Sequence, residues 1–433
     1  MQRILSSEVR AHVGREVFLQ GWVHHLRSLG GILFLILRDR KGIVQAVVER
    51  REIVPDDLEN ESVVSVRGIA QADERAPGGV EVAVSEIQVL SHPHARPPLE
   101  INKRLDHTKI GLETMLSNRP FSLRNLEVRS VFKVQEEIVW AFRTFLRSQG
   151  FTEVHTPKIV ATGTEGGTAL FAVDYFGKRA YLAQSPQFYK QMLVGAGYER
   201  VFETGPVFRA EEHNTARHIN EYLSLDLEMG FIESEQDVMD LEVQFLQFLF
   251  PRLQETCGEH LERLGATVPL VDDVPRLRLS EAHEILRSRF GRLPMKVGDL
   301  DPEEEQLICR YAEEELSSEF LFITHYPVEK RPMYTMPDPE DPTLTRSFDL
   351  LWRGLEITTG SQRIHDYAML KANMIRFGLR PEEFSAYLES FKYGMPPHGG
   401  LAIGAERMTQ KLLGLKNIRE ACFFPRDRTR VTP

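Results

Sequence analysis

The sequence predicts an α+β protein: a small closed β-barrel, then a larger domain in which an antiparallel sheet is flanked by helices. Three features carry that prediction. The first ninety or so residues hold short β-branched and aromatic runs cut by turn residues, and a proline-rich break follows them. From Leu126 a helical period takes over, after which strands and helices mix without strict βαβ alternation.

The early runs are residues 17–23, 32–38, 42–49, 63–68 and 80–90. Five strands in that length suit a barrel of the OB type, whose strand 2–3 face commonly binds oligonucleotides; a small sandwich or SH3-like barrel satisfies the same count. In His92-Pro93-His94-Ala95-Arg96-Pro97-Pro98 the prolines restrict the residues before them, which disfavours helix. The resulting plan is a barrel over 1–92, a hinge over 93–125 and a second domain over 126–433. There, Val128, Val131, Phe132, Gln135, Ile138, Val139, Phe142, Phe145 and Leu146 share one helix face, and Gly150 ends the helix. Hairpin-like strands are expected near 201–209, 219–231 and 347–359. The acidic runs 301–305 and 313–315 read as solvated helix ends and faces.

Composition narrows the function classes. With 433 residues, 42% of them hydrophobic, the chain can bury large cores. Its longest apolar stretch, residues 32–37, is strand-sized and far short of the ~18 residues a membrane span needs. The polar N-terminus, with Glu8 and Arg10, and three scattered cysteines, Cys257, Cys309 and Cys422, predict a reducing, cytoplasmic setting without disulfides or zinc. A net charge of −10 argues against a general nucleic-acid coat protein but permits a local basic face. No P-loop, dinucleotide fingerprint, H-E-x-x-H or paired C-x-x-C is present, so any nucleotide chemistry must use another scaffold.

Three segments carry chemistry. If residues 207–211 form a strand, Arg209 and Glu211 share a face, one offering a fork to a phosphate and the other an acceptor to an amine. A polar loop then leads to Arg217 and His218 at the start of a returning strand, a plausible triphosphate clamp; the plain alternative is a surface hairpin with an Arg–Glu pair. In residues 348–363, a two-residue turn at Arg353-Gly354 places Leu351 opposite Glu356 and puts Asp349 on the face of Glu356. Two such carboxylates suit Mg²⁺ between protein and phosphates. In residues 399–407, glycines at a strand–helix junction let the backbone approach a flat ligand, and Arg407 can meet a phosphate or stack on a base.

In this order and spacing the segments resemble the signature motifs of class II aminoacyl-tRNA synthetases. Residues 150–157 are similar to that class's first motif, a helix and strand ending in proline that build a homodimer interface. Residues 208–211 resemble the second motif, and residues 400–407 the third. The resemblance runs over essentially the whole chain, because an N-terminal OB barrel is the anticodon module of the aspartyl, asparaginyl and lysyl subgroup. Within it the chain looks like an aspartyl enzyme of the archaeal/eukaryotic type. The marker is Lys190, in residues 184–191, which matches the lysine that pairs with the substrate's side-chain carboxylate. A carboxylate is best met by cations, whereas an amide needs a donor and an acceptor. The gap between the second and third motifs is too short for the extra domain of the usual bacterial aspartyl enzyme.

The resemblance implies a two-step reaction: aspartate and ATP form aspartyl-adenylate and pyrophosphate, then the 3′ end of tRNA(Asp) takes the aspartyl group. It implies that Gln187, Lys190, Arg363, Thr359 and Glu165 hold aspartate, Glu165 from a loop that closes over it; asparaginyl enzymes also carry an arginine at the place of Arg363. Arg209 meets the α-phosphate and α-carboxylate, Glu211 the adenine amine, and Arg217 with His218 the outer phosphates, with Ile219 also in the ATP site. Gly404, Ala405, Glu406 and Arg407 complete the ATP site, and Asp349, Glu356 and Thr359 surround Mg²⁺. An asparaginyl synthetase is opposed by Lys190, and an inactive RNA-binding paralogue by the joint presence of Arg209, Glu211, Glu356 and Arg407.

In the barrel, Arg27, Phe34, Gln45 and Glu81 match positions that read anticodon bases. A stacking platform such as Phe34 contributes roughly 1–3 kcal/mol per base, although periodicity alone leaves Phe34 equally a core residue. Arg27, Arg38, Arg40, Lys41, Arg50 and Arg51 face only Asp39 and Glu49 across residues 21–51, a basic stretch suited to single-stranded RNA. Members that charge only tRNA(Asp) tend to carry a Trp-like residue near His24 or His25 and a lysine near Pro77. The residues found here resemble relaxed members that also charge tRNA(Asn) with aspartate; a discriminating enzyme is the alternative. Replacing Arg209 by alanine is expected to remove roughly 3–4 kcal/mol of transition-state stabilisation from the activation step. Aspartate-dependent ATP–pyrophosphate exchange measures it, and near-normal exchange would refute the role.

Overall fold

In the computed structural model, strand β1 (Glu16–Leu29) turns through Gly30 (φ +57°) and Gly31 (φ +91°) into β2 (Ile32–Arg38), a two-residue connection that needs left-handed backbone. The structure describes residues 1–103, 110–163, 170–212, 215–296 and 298–432. Strands β3 (Ile43–Val48), β4 (Val63–Ala72) and β5 (Val80–Ser91) complete a closed barrel of order β1-β2-β3-β5-β4. Alternation along β2 sends Leu33, Leu35 and Leu37 into the barrel core with Leu19, Val44, Ala46, Val66 and Val82. Ile32, Phe34 and Ile36 stay half-buried on the outside. Phe34 is therefore not a core residue.

Two charged groups depart from expectation here. Arg38 is 3% exposed and forks onto Glu61 at 3.0 and 2.8 Å, so it is no part of the basic surface counted over residues 21–51. Its partner lies ten residues beyond that window, where local charge counting cannot see it. A bulge between Val23 and His25 turns His24 inward, where Arg38 donates to its Nδ1 at 2.9 Å, while His25 remains exposed. Burial and Arg38 together push His24 down to about 4.

The chain divides into two compact units, Met1–Leu126 and Glu127–Pro433, so residues 93–125 fall with the first. The second is built on helix α1 (Leu126–Ser148), whose buried stripe is the expected one with Ser130, Val134 and Ala141 added and Gln135 and Val139 only half-buried. Gly150 (φ +80°) ends it. After β6 (Thr152–Glu153), strands β7 (Ile159–Val160), β8 (Ala172–Tyr175) and β9 (Lys178–Leu182) make a small separate sheet.

Then come α2 (Gln187–Leu193), β10 (Arg200–Phe208), β11 (Glu221–Gly230), α3 (Glu235–Leu264), β12 (Arg276–Arg278), α4 (Leu279–Phe290) and α5 (Pro302–Leu316). Strands β13 (Phe320–Thr324), β14 (Ser347–Trp352) and β15 (Leu355–Arg363), helices α6 (Tyr367–Arg376) and α7 (Ser385–Lys392), β16 (His398–Gly404) and α8 (Ala405–Leu413) complete it.

The main sheet has the order β12-β13-β14-β15-β16-β11-β10-β6. It is antiparallel through the centre but parallel at both ends, where β12 pairs β13 and β10 pairs β6. The expected antiparallel sheet is thus corrected to a mixed one. The acidic run 301–305 is corrected as well. Asp301 caps α5 by accepting from Glu303 N and Glu304 N, Glu304 reaches back to Asp301 N, and both Glu304 and Glu305 are buried. Residues 313–315 are exposed as expected.

Between β14 and β15 the chain turns at Arg353 and Gly354, and Leu351 does pair with Glu356. A bulge follows, so Leu350 pairs with Thr358 and Asp349 with Thr359. The extra residue, Ile357, changes the phase of β15 and lets Glu356 and Thr359, three positions apart, address the same side. Opposite Phe348, Gly360 leaves room for the ring: a β-carbon there would lie 2.2 Å from Phe348 Cζ. Gly360→Ala should therefore destabilise the second unit by about 1–3 kcal/mol through overpacking, read as a lowered urea midpoint. An unchanged midpoint would show that Phe348 moves aside freely.

Candidate active site

The central strands bring the predicted residues to one side of the sheet around a cavity of about 670 Å³. Gln187, Lys190, Arg209, Glu211, Arg217, His218, Ile219, Glu356, Thr359, Arg363, Gly404, Glu406 and Arg407 all line it. Glu165 lies outside the described residues. Ala405 is fully buried at the start of α8 and is absent from the lining.

At one end lies a balanced group of four buried charges. Strand β11 alternates Ser224, Asp226 and Glu228 with apolar residues, and α2 presents Lys190 to it. Lys190 Nζ donates to Asp226 Oδ1 at 3.0 Å and lies 3.3 Å from Glu228 Oε2; the Leu227 and Leu401 carbonyls accept at 3.2 and 3.3 Å. Arg363, at the end of β15, bonds Glu228 at 3.0 Å, Ser361 at 2.6 Å and the Gly400 carbonyl at 3.0 Å. Burial opposes the charge of Glu228, but Arg363 and Lys190 outweigh it and hold its carboxyl below the usual range. Beside them Gln187 Oε1 accepts from Arg363, while its Nε2 is buried without a hydrogen-bond partner among the described residues. A buried donor left open in a cavity fits an arriving acceptor.

Gly400 has a different task from the one expected. A β-carbon on it would stand 2.2 Å from the Leu227 carbonyl and 2.3 Å from Glu228 Oε2, so this glycine lets the buried carboxylate lie on the β16 backbone. Of the glycines in residues 399–407, only Gly404, at the strand–helix junction, lines the cavity.

At the other end, β10 stops at Phe208, one residue short of Arg209. Arg209 and Glu211 therefore occupy a tight turn, with Glu211 N bonded to the Arg209 carbonyl at 2.8 Å, and do not share a strand face as expected. Asn220 pins the turn by donating to the Arg209 and Glu211 carbonyls at 2.9 and 3.3 Å. Arg217 likewise sits in a turn, four residues before β11 begins, and pairs with Glu305. His218 Nδ1 lies 2.7 Å from the Thr215 hydroxyl. Ile219 packs against Ile418 and Cys422. Glu406 lines the cavity with its carboxylate held by the backbone: both its oxygens accept from Leu223 N at 3.1 Å, and burial pushes it up to about 7.

Between the two ends, the Thr359 hydroxyl lies 2.9 Å from both Asp349 Oδ1 and Glu356 Oε1. Burial works against the charge of Glu356, but Arg407, Thr359 and Arg331 hold its carboxyl below the ordinary value. Arg407 Nη1 also donates to the Glu356 carbonyl at 2.9 Å. Asp349 is committed elsewhere, since Arg331 takes both its oxygens at 2.9 and 2.6 Å. Among the described residues no three His, Cys, Asp or Glu side chains converge as a metal site. Mg²⁺ typically takes one or two carboxylates and draws its other ligands from phosphates and water, and the Glu356 carboxylate beside the Thr359 hydroxyl is a donor set of that kind.

Asp226, Glu228, Glu305 and Arg331 escaped the sequence reading. The first two had a signal, charged residues alternating with apolar ones in a predicted central strand. Arg331 and Glu305 belong to no motif and reach the site only through the fold.

On the outside of the barrel, Arg27 pairs across from Phe34, and Gln45 Nε2 donates to Glu81 Oε2 at 2.8 Å. Arg27, Arg40, Lys41, Arg50 and Arg51 are exposed, as are His25 and Pro77.

A family model for class II tRNA synthetases (D, K and N) matches residues 111–428, and one for OB-fold nucleic acid binding domains matches residues 17–90. The chain belongs to this family of class II tRNA synthetases. It is 51% identical to the aspartate–tRNA(Asp/Asn) ligase of Thermus thermophilus over 434 residues, covering all of both chains. It is 50% identical to the Deinococcus radiodurans protein of the same name over 439 residues, all of this chain and 99% of the relative. Among solved structures, asparaginyl-tRNA synthetase of Pyrococcus horikoshii complexed with asparaginyl-adenylate superposes with a TM-score of 0.93 at 33% identity, again over both chains entirely.

Behind the site, Glu242 of α3 accepts from the Thr358 hydroxyl at 2.6 Å, and burial pushes it up to about 8. An acid raised in the folded state binds its proton more tightly there, so its contribution falls as pH rises from the ordinary value near 4.5 through about 8. Glu242→Gln should thus gain on the wild type between pH 5 and 9, by up to roughly 1.4 kcal/mol per unit of that span. Denaturant midpoints across pH measure it, and a constant difference would refute it.

Proposed function

We propose that this protein activates L-aspartate with ATP and transfers it to tRNA(Asp) and tRNA(Asn). The observation that carries the choice of aspartate is the pair of buried cations, Lys190 and Arg363, lining the cavity beside the open donor of Gln187. A side-chain carboxylate competes with Asp226 and Glu228 for those cations; an amide, with no net charge, does so poorly. The high superposition on an asparaginyl enzyme means that the fold cannot make this choice, so the pocket must.

In this reading Arg209 sits where the aspartate carboxylate and the α-phosphate meet, and stabilises the charge that builds there. Glu211 accepts from the adenine amine, and Arg217, His218 and Arg407 face the outer phosphates. Glu356 and the Thr359 hydroxyl are the groups that would hold Mg²⁺, which would supply positive charge to neutralise the phosphates; Asp349 orients Thr359 from behind. The acceleration comes from alignment and charge placement, with no covalent enzyme intermediate. A homodimer built on residues 150–157 and a cytoplasmic location complete the assignment.

On the barrel, Phe34 offers its outward face to a base, and the Gln45–Glu81 pair offers donors and acceptors to a base edge. His25 and Pro77, both exposed, are the groups that meet the tRNA(Asp/Asn) difference, whereas His24 is occupied by Arg38. The names of the relatives from T. thermophilus and D. radiodurans agree with dual charging. Charging of tRNA(Asp) and tRNA(Asn) transcripts with labelled aspartate and Mg-ATP tests the reading. Comparable rates on both are expected; charging of tRNA(Asp) alone would leave a discriminating enzyme, and asparagine accepted over aspartate would overturn the pocket assignment.

A further inference from the structure

Glu305 sits on α5, outside every segment singled out for chemistry, yet it touches two of them. Its Oε2 accepts from Arg217 Nη2 and, at 3.3 Å, from the backbone N–H of Glu356. One carboxylate oxygen therefore ties the turn that precedes β11 to the start of β15. The carbonyl of the same Glu356 receives Arg407 Nη1 at 2.9 Å, so two of the cavity's arginines, Arg217 and Arg407, are referred to one residue of one strand. Arg217 and Arg407 line the cavity, while Glu305, 8% exposed, stays behind them.

That placement gives Glu305 a definite task. Arg217 stands on an irregular turn, where a long side chain has many rotamers to lose on meeting a ligand. A charge-assisted bond to one terminal nitrogen fixes the guanidinium plane in advance and leaves the rest of the fork for another acceptor. Because the carboxylate lies behind the guanidinium, an incoming anion meets the positive group first. We propose that Glu305 is a positioning residue for the nucleotide: it holds Arg217, and through the Glu356 N–H the start of β15, in the arrangement that receives the outer phosphates of ATP. This rests on the reading of the cavity as an ATP site with Arg217 on those phosphates.

The test compares wild type, Glu305→Gln, Arg217→Ala and the double variant in ATP–pyrophosphate exchange with L-aspartate, and adds inhibition by AMP, which lacks the outer phosphates. Glu305→Gln should raise KM for ATP about tenfold while KM for aspartate and the inhibition constant of AMP stay within about twofold. The double variant should match Arg217→Ala, since Glu305 acts through that arginine. A normal KM for ATP in Glu305→Gln, with a raised one in Arg217→Ala, overturns the proposal alone. So does a Glu305→Gln effect that persists undiminished in the Arg217→Ala background. A parallel rise for AMP and aspartate marks a general packing role and also overturns it. If Arg217→Ala leaves KM for ATP unchanged, it is the underlying reading of Arg217 that fails.

Discussion

The buried carboxylate of Glu228 is the constraint around which the second unit is arranged. It carries a full charge with no exposure to solvent, a state that survives only if cations meet it at close range. Lys190 comes from α2 and Arg363 from the end of β15 to do so, and β16 must offer bare backbone at Gly400 for the carboxylate to fit. Three elements far apart in sequence are thereby fixed in position by one side chain. The same strand carries Asp226, which takes the remaining reach of Lys190. Among these four, removing Glu228 would leave Arg363 without its carboxylate, and removing Lys190 would leave Asp226 without its cation.

The other end of the cavity is organised by a different device, the bulge in β15. A regular strand would present Glu356 and Thr358 to the same face. With Ile357 as the extra residue, Thr359 joins Glu356 on the cavity side and Thr358 turns toward α3, where Glu242 receives it. Two adjacent threonines thus serve opposite faces of the sheet, one polar and open to ligand, the other sealed against a helix.

Much of this was legible in the chain. Barrel strands, the α1 stripe, the Arg353-Gly354 turn and the Leu351–Glu356 pairing all follow from local rules of period and turn chemistry, which act over a few residues. The motif residues could be named because the chemistry of phosphate and carboxylate recognition restricts residue type. What escaped was set by long-range contact. Arg38 looked like a surface cation because Glu61 lies outside its neighbourhood in sequence, and Glu305 looked solvated because nothing local announces Arg217. The ends of β10 and β11 also fell short, since Asn220 stabilises turns where alternation suggested continued strand.

The kink in β1 has a bearing on how the outer surface of this barrel can vary. Because the bulge assigns one histidine to the interior and its neighbour to the outside, the frame of the strand and the chemistry of its surface are separable. Substitutions at His25 can explore new contacts while His24, Arg38 and Glu61 keep the strand in place. A single-residue insertion or deletion at the kink would do the reverse, exchanging the two histidines and carrying the outward row of Phe34 neighbours out of step. Change on this outer face is thus open to side-chain replacement, whereas a change of length at the kink would disturb the frame.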